Sequence, residues 1–564
     1  SDSNTATITL EYRTDPLYQY QWHLNNTGQT NFATNAGTSG VDLNVDSVIA
    51  GGNTGAGITI NVIDDGLEIA HEDLVDNIAE GLSYNFLTGS SDPTLAGNGS
   101  SHGTSVAGII ASKAYNKVGG RGVAPDASLV GYNLLTASTS SNEIYALGSG
   151  NSFVADIDIY NGSYGLNFSL DQWSLNGLPS GIEDAYKYGV ENLRSGKGAI
   201  YVRAAGNDFM DSVTSNIWCG TSGSSSVGLT CSETHIDGEA AIPYFINVGA
   251  LDADDIKSHY STTGPNIWVS SYGGESGNNQ SISGGSTYGG NKPAIMTVDV
   301  GSCSKGYVNS GNSPGFGDNT YKNAFNSGSH AENSDCNYTS TFNGTSSAAP
   351  NVAGVVALML KANPTLKWRD IKDILLTTSR KVDSSRSLTI QGINQYQWIE
   401  NAAGHEYHNW YGFGAVDAAA AVSAASSYSK DLGTFVDTGY VNKGSALSIP
   451  SLAVTQTNLA MTKPSGSNGV VEFVRVTIFL DHALPKSIGL RLTSPSNTTV
   501  NITQPYTNIT VNPYNGASYR YFDIGVNAFY GETMEGTWTL SVDEYTDDGV
   551  NGVLADWGLQ IYGN

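Results

Sequence analysis

The sequence predicts two folded units: an α/β doubly wound parallel sheet, followed by an all-β, jelly-roll-like sandwich. Three observations predict this. Short β-branched apolar runs alternate with helical stretches between residues 58 and 251. The stretch Asn343-Gly344-Thr345-Ser346-Ser347-Ala348-Ala349-Pro350 leads straight into NVAGVVALMLKA, a helix with no polar face. From about Leu432 onward, segments alternate between apolar and polar residues and are separated by turns. Strand–helix alternation argues for a parallel sheet with helices on its faces. A helix that is apolar all round belongs inside a protein. Alternation at period two argues for antiparallel sheets packed face to face. The expected domains are residues 1–430, with a long excursion at about 273–341, and residues 431–564.

Taken in order, ITINVI (58–63) is a buried strand that stops at Asp64-Asp65-Gly66. Its uninterrupted apolar run suits a strand covered on both sides. Next, His102-Gly103-Thr104-Ser105-Val106-Ala107-Gly108 opens a helix of small and apolar residues. Strands are expected at 128–135, 156–165, 199–207 and 245–251, with a helix at 181–195. Residues 273–341 break the rhythm: they are rich in Gly, Ser and Asn, with one short strand candidate at AIMTVDV (294–300). An amphipathic surface helix is expected at 366–382, and residues 411–426 close the α/β region. The later runs VEFVRVTIFLDH, IGLRLTSP, GTWTLSVDEY and WGLQIYG read as sandwich strands.

The chain has 564 residues, too many for one ordinary core, which agrees with two domains. Its net charge of −26 would repel nucleic acid and anionic membranes, so neither is expected as a partner. No run of 18 apolar residues exists to span a bilayer. The opening SDSNTATITLEY lacks a basic segment followed by an apolar one, so an export signal is expected to have been removed already. The four cysteines, Cys219, Cys231, Cys303 and Cys336, allow three pairings. Two local disulfides in sequential order are expected, as in an exported protein.

The central helix carries the first chemical signal. Pro350 is expected in its first turn, where a missing N–H costs nothing, so the helix should begin close to Ser346. One hydroxyl then sits at the positive end of a buried helix, beside N–H groups without intrahelical partners. Such an end favours developing negative charge, as acyl transfer requires. A cap residue would explain Ser346 taken alone. Asp64 and His102 would likewise be ordinary taken singly. Together they give the order Asp…His…Ser, one of the chain orders of the serine-nucleophile triad. A serine hydroxyl is a poor nucleophile until a base takes its proton. A histidine can be that base when a buried carboxylate fixes its tautomer.

On these motifs the chain resembles the subtilisin-like serine proteases. IDDGLEIAHEDL, SSHGTSVAG, AAGNDF and NGTSSAAP are similar to the family's stretches around its catalytic residues. Asp64-Asp65-Gly66, the early TDPLYQYQW and the β-rich tail resemble the kexin and furin branch, whose tail is called the P domain. The resemblance implies a secreted serine endopeptidase that acts on polypeptides. Asp64, His102 and Ser346 would be its triad and Asn207 its oxyanion donor. Ser163, Tyr164 and Gly165 would pair with the substrate backbone by strand addition. It further implies calcium as cofactor, held by Asp15, Asp73 and Asn116 with carbonyls of Lys113, Val118 and Gly120. A second calcium site of the family looks lost, its carboxylates aligning with Phe168 and Thr262.

The resemblance also implies cleavage after basic or paired basic residues. Asp65 matches the carboxylate facing the second residue before the scissile bond, and Asp237 one acid of the primary pocket. The other acid aligns near Phe168, with Asp171 as a stand-in; a further acidic position, before His102, falls on Gly99, and an outer one on Tyr145. Those departures leave open a broad-specificity protease. A non-enzymatic adhesive protein on an inert scaffold is the remaining alternative. A monomer is expected, with a pro-segment or folding chaperone as a possible partner.

Overall fold

The computed structural model describes residues 15–30, 32–95, 102–150, 157–165, 181–209, 227–277, 292–307, 323–507, 520–547 and 549–564. Its first unit is built on six strands: β1 (Thr59–Ile63), β2 (Ser128–Tyr132), β3 (Ile159–Gly162), β4 (Ile200–Ala204), β5 (Phe245–Leu251) and β6 (Val269–Tyr272). They lie in the order β2-β1-β3-β4-β5-β6, and every pairing is parallel. Five were legible as apolar runs. The sixth, β6, has the sequence VSSY, whose two serines hide it, and tertiary pairing with β5 makes it a strand.

From β1 the chain moves outward to β2, then returns to β1's other side to form β3. The gap between β1 and β3 is therefore the switch point, the crevice where ligands of open α/β sheets bind. Asp64 follows β1 at that end, and Ser163 follows β3. Helix α1 (His102–Ala111) packs over β1 and β2, with every residue after His102 buried. Helix α2 (Ile182–Gly196) leaves helical geometry at Leu193–Ser195. Helix α3 (Thr345–Ala362) is buried from Thr345 through Leu360, and it contacts β3, β4, β5 and β6 as well as α1. Its small residues allow that proximity. A Cβ on Gly354 would lie 2.5 Å from the Val123 Cβ. Helices α4 (Trp368–Thr378) and α5 (Ala418–Ser427) complete the unit.

The described parts of the 273–341 excursion are structured. Strands β7 (Ile295–Val298) and β8 (Tyr338–Phe342) pair antiparallel, and a disulfide joins Cys303 to Cys336. This ribbon is locked to α1: the Ser105 hydroxyl donates to the Val298 carbonyl at 2.6 Å, and Thr297 Oγ1 donates to the Ser105 carbonyl at 2.8 Å. The excursion thus braces the helix that begins at His102. Cys231 also takes part in a disulfide, while Cys219, its expected partner, lies outside the described residues.

The second unit is all β and antiparallel. In one sheet Val471–Asp481 lies between Arg520–Val526 and Gly552–Gly563. The other has four strands, with Gly536–Glu544 between Val454–Met461 and Ile488–Thr493, and Thr499–Thr503 beyond. Alternating residues such as Val474, Val476, Ile478 and Leu480 fill the space between the sheets. No helix among the described residues is long and apolar enough to cross a membrane.

The two units meet through buried polar groups. Arg369 on α4 donates from Nε to Glu472 at 2.9 Å, pairs again with it through Nη2, and donates to the carbonyls of Leu432 and Gly433. Tyr530 donates to Asp373 at 2.9 Å, and Asn401 donates to the Ala528 carbonyl at 2.8 Å. Removing one member of a buried charged pair strands the other and typically costs about 3–5 kcal/mol. Arg369→Met is therefore expected to lower unfolding stability by about that amount, with Arg369→Met/Glu472→Gln recovering part of the loss. Chemical denaturation of the three proteins checks this. Equal stability of all three would show that the pair does not hold the units together.

Candidate active site

Asp64 is fully buried at the end of β1, and His102 is the first residue of α1. The imidazole Nδ1 lies 2.8 and 3.0 Å from the two Asp64 oxygens. A carboxylate can only accept, so in the neutral ring Nδ1 carries the proton and Nε2 holds the lone pair. The ring packs against Phe342 of β8, with centroids 5.5 Å apart, and its side chain stays 27% exposed. One face is therefore held by the excursion ribbon while an edge remains open to a substrate.

Asp65 does more than the sequence reading gave it. Its carboxylate accepts from the His102 N–H at 3.2 Å and the Gly103 N–H at 2.9 Å. It thus satisfies donors at the first turn of α1, where a negative charge is favoured by the helix dipole. Adjacent residues of an extended segment point to opposite faces, yet both carboxylates serve the same histidine, one through its ring and one through its backbone. Gly103 makes this possible, because a Cβ there would lie 2.1 Å from the Gly66 carbonyl.

Ser346 is the second residue of α3 and is 7% exposed. Pro350, expected in the first turn, is instead sixth in the helix. A proline has no N–H for the carbonyl four residues back, which here is that of Ser346. The freed carbonyl accepts instead from the Ser163 hydroxyl at 3.1 Å, and Asn161 Nδ2 donates to that hydroxyl at 2.9 Å. In return, the Ser346 hydroxyl donates to the Ser163 carbonyl at 3.0 Å. A reciprocal pair therefore ties the start of α3 to the end of β3. No motif reading could find it, although Pro350 lying four residues after Ser346 was the available signal.

Gly344 precedes the helix with φ 104°, a conformation that an L side chain rarely adopts. It turns the chain so that the Thr345 N–H donates to Asn207 Oδ1 at 2.8 Å, and the Thr345 hydroxyl donates there at 3.0 Å. Asn207 is exposed, and its oxygen is fixed by those donors, so its NH₂ group faces away from them. The Ser346 N–H, in the first turn, has no intrahelical acceptor. A side-chain amide and a backbone N–H are thus available beside one hydroxyl, the donor set that stabilises a tetrahedral oxyanion.

Of the residues expected to meet substrate, Ser163, Tyr164 and Gly165 follow β3, with Tyr164 half-buried and Gly165 exposed. Asp237 caps a short 3₁₀ turn by accepting from the Glu239 N–H at 3.0 Å, and Arg203 Nη2 lies 3.6 Å from its carboxylate. Arg203 was missed by sequence reasoning. It stands in YVRAAGN inside a strand run, and nothing local tells that its guanidinium turns toward Asp237. Tyr145 packs against Tyr84 and Phe86, while Gly99, Phe168 and Asp171 lie outside the described residues. Thr262 accepts from the Asp208 N–H at 2.9 Å.

Of the expected cation ligands, Asp73 and Asn116 are in direct contact, and Asp15 lies against the loop that carries Asn116. The Asp15 carboxylate accepts from the Tyr115 N–H at 3.0 Å, and Asn116 Nδ2 donates to Asp73 at 2.7 Å. Asp15 Oδ1 and Asp73 Oδ2 are buried and have no hydrogen-bond partner among the described residues. Burial pushes Asp73 up to about 8, the Asn116 amide opposing and the Asp15 charge adding to it. Two buried carboxylates with orphaned oxygens fit a hard cation, which binds carboxylate, amide and carbonyl oxygens. Gln21 and Arg121 wall the same loop, since Gln21 accepts from the Arg121 N–H at 2.8 Å. Lys113 sends its ammonium to Asp126 at 2.7 Å, so only its carbonyl is free for such a role.

A parallel α/β sheet with this Asp, His and Ser arrangement at its switch point defines a serine hydrolase of the subtilisin type. Comparison with known proteins agrees: residues 55–414 match the Subtilase family, and residues 471–561 match the Proprotein convertase P-domain. The chain belongs to the subtilase family and is a serine endopeptidase that carries a P domain. It is 32% identical to the Aeromonas extracellular serine protease of Aeromonas sobria, over 94% of this chain and 84% of that one. It is 27% identical to neuroendocrine convertase 2 of Mus musculus, over 97% of this chain and 74% of that one. The crystal structure of the Aeromonas sobria serine protease in complex with the chaperone ORF2 superposes with a TM-score of 0.81 at 29% identity. It covers 98% of this chain and 95% of that one. The inert-scaffold alternative is thereby removed.

Burial alone would lower the His102 imidazole, but the Asp64 charge and hydrogen bond, with Asp65 beside them, outweigh it and push the ring up to about 9. Only the neutral ring accepts a proton. Peptide-hydrolysis kcat/KM is therefore expected to rise with pH through the His102 pKa. Asp65→Asn removes one charge that favours the imidazolium, so the limb should move to lower pH by about half a unit to one unit. Rates on one peptide across pH check this. An unmoved limb would mean that the Asp65 charge does not reach the ring.

Proposed function

We propose that the chain is an exported, calcium-stabilised endopeptidase that cuts after basic or paired basic residues, with Asp64, His102 and Ser346 as its triad. The observation that carries the reading is the pairing of buried Asp64 with His102 after β1, together with Ser346 at the start of α3, tied to the end of β3. Peptide pairs with the strand end Ser163–Gly165 by main-chain hydrogen bonds. The Ser346 hydroxyl turns from the Ser163 carbonyl to His102 Nε2, gives up its proton there, and attacks the scissile carbonyl. Asp64 holds the ring in the Nδ1–H tautomer and steadies the imidazolium. Negative charge on the former carbonyl oxygen faces the Ser346 N–H and the Asn207 amide. His102 returns the proton to the leaving amine, leaving an acyl-enzyme, and water repeats the sequence to release it.

The basic preference is supported by Asp65 beside His102 and by the acids Glu143, Asp237 and Glu239 grouped about the strand end. Export is supported by the extracellular relative of Aeromonas sobria and by the Cys303–Cys336 disulfide. The chaperone in the related crystal structure makes a folding partner reasonable for this chain too. Ser346→Ala is expected to abolish both turnover and labelling by a serine-directed phosphonate while leaving the fold intact. A peptide panel varying the last two residues before the cut should favour Lys and Arg there. Turnover by that variant above about a thousandth of wild type would overturn Ser346 as nucleophile. A flat panel would favour the broad-specificity reading.

A calcium ion would be held by Asp15, Asp73 and Asn116 with carbonyls of Lys113, Val118 and Gly120. Its chemistry there is charge neutralisation, which joins the N-terminal segment to the loop after α1. A ligand bound only by the folded state stabilises it by about 2.7 kcal/mol at a hundred times its Kd. Excess chelator is therefore expected to lower the Tm, and Asp73→Asn to make the Tm insensitive to calcium. A wild-type Tm that ignores both chelator and added calcium would count against the site.

A further inference from the structure

Arg203, near the end of β4, is 5% exposed and sits among three acids. Its Nη1 pairs with Glu239 and also donates to the Tyr186 hydroxyl at 3.3 Å, while that hydroxyl donates to Glu239 at 3.0 Å. Its Nη2 donates to the Tyr164 carbonyl at 3.3 Å and lies 3.6 Å from Asp237. Tyr164 covers the guanidinium with its ring at 5.1 Å, and Phe245 lies at 5.7 Å. The connection to the nucleophile is short. The Ser163 carbonyl accepts from the Ser346 hydroxyl, and the next carbonyl along the strand end accepts from Arg203.

Exposure within the cluster is graded. The Glu239 and Arg203 side chains are each 6% exposed, whereas that of Asp237 is 21% exposed. Asp237, like the half-buried Glu143, is thus an acid a substrate could reach, and a fixed cation lies 3.6 Å from its carboxylate. A substrate guanidinium or ammonium that approached Asp237 would meet both its attraction and the repulsion of Arg203. In a dry site, like charges a few ångströms apart oppose each other strongly. An uncharged side chain would feel neither.

We propose that Arg203 is a specificity-determining residue, an internal counter-cation that weakens the preference of this acidic wall for a basic residue before the scissile bond. Glu239 anchors it, and the Tyr164 carbonyl fixes it relative to the substrate strand. The inference rests on the reading of Ser163–Gly165 and Asp237 as the substrate-facing wall. It explains how a chain with many acids at this end of the sheet tolerates them, since buried acids without a cation would lose their charge. It also sets this chain apart within its own reading as a basic-site protease, because the same wall without Arg203 would bind cations more tightly.

The test measures kcat/KM for two peptides that differ only in Arg or Leu before the cut, and takes their ratio. A ratio on one enzyme preparation cancels any loss of active protein. Arg203→Leu is expected to raise the Arg:Leu ratio about tenfold or more, because the repelling charge is gone. Glu239→Gln should lower it, since the freed fork turns to Asp237. Arg203→Leu leaves Glu239 buried and unpaired, and this can prevent folding. Arg203→Leu/Glu239→Gln removes both charges and carries the test in that event, again with a raised ratio. High salt should shrink the gain, as screening requires. If the ratio stays within about twofold of wild type in both Arg203 variants while Asp237→Asn lowers it, Arg203 is structural only and the wall reading stands. If Asp237→Asn also leaves the ratio unchanged, the wall reading itself fails, and the role of Arg203 with it.

Discussion

The exchange between Ser163 and Ser346 is the contact on which the site depends. Pro350 withholds the N–H that would bind the Ser346 carbonyl within the helix, and the Ser163 hydroxyl supplies the missing donor. A buried carbonyl left unpaired would cost about 1–3 kcal/mol, so the helix start is held where β3 ends. The reverse bond holds the Ser346 hydroxyl on the Ser163 carbonyl. A proline within a buried helix usually weakens it. Here it frees the acceptor that registers Ser346 against the end of β3.

The same economy governs the charges. Asp64 and Asp65 are consecutive, yet one orients the imidazole of His102 and the other caps the helix that carries it. Ring and backbone of one residue are therefore fixed by independent carboxylates. The histidine is held by three structural layers: strand β1 through the aspartates, helix α1 through its backbone, and the excursion ribbon through Phe342. Redundancy of this kind locks the rotamer and position of one side chain.

Negative charge is abundant across the chain, with 52 acidic residues against 26 Lys and Arg. The cations are spent where acids are buried. Arg203 meets Asp237 and Glu239, Arg369 meets Glu472, and Arg475 meets Glu183 and Asp523. Arg369 and Arg475 also join the catalytic unit to the P domain, so the sandwich is attached through ion pairs as well as apolar contact. Lys372 lies at the same junction, where burial pushes its ammonium down to about 7, although the Glu472 charge opposes this. Its ammonium donates to the Pro243 carbonyl and lies over the Trp268 ring.

What the sequence determined was whatever depends on neighbours along the chain. The β-branched runs made β1 to β5 legible, the all-round apolar helix gave α3, and period-two alternation gave the sandwich. Asp64, His102, Asn207 and Ser346 stood out because each sits in a distinctive local motif at an element end, whereas Asp15, Asp73 and Asn116 were singled out only by the resemblance to a family. The structure alone decided what depends on groups far apart in sequence. VSSY became β6 only through its partner strand, and Asp65 became a helix cap only when α1 was laid against β1. Ser163 became the donor to Ser346 across 183 positions, and Arg203 the cation among acids contributed by other elements. Local pattern fixes the hydrogen bonds a segment makes with itself and the face it buries. Which distant carbonyl, carboxylate or guanidinium satisfies a buried polar atom is set by the order in which the sheet stacks its strands.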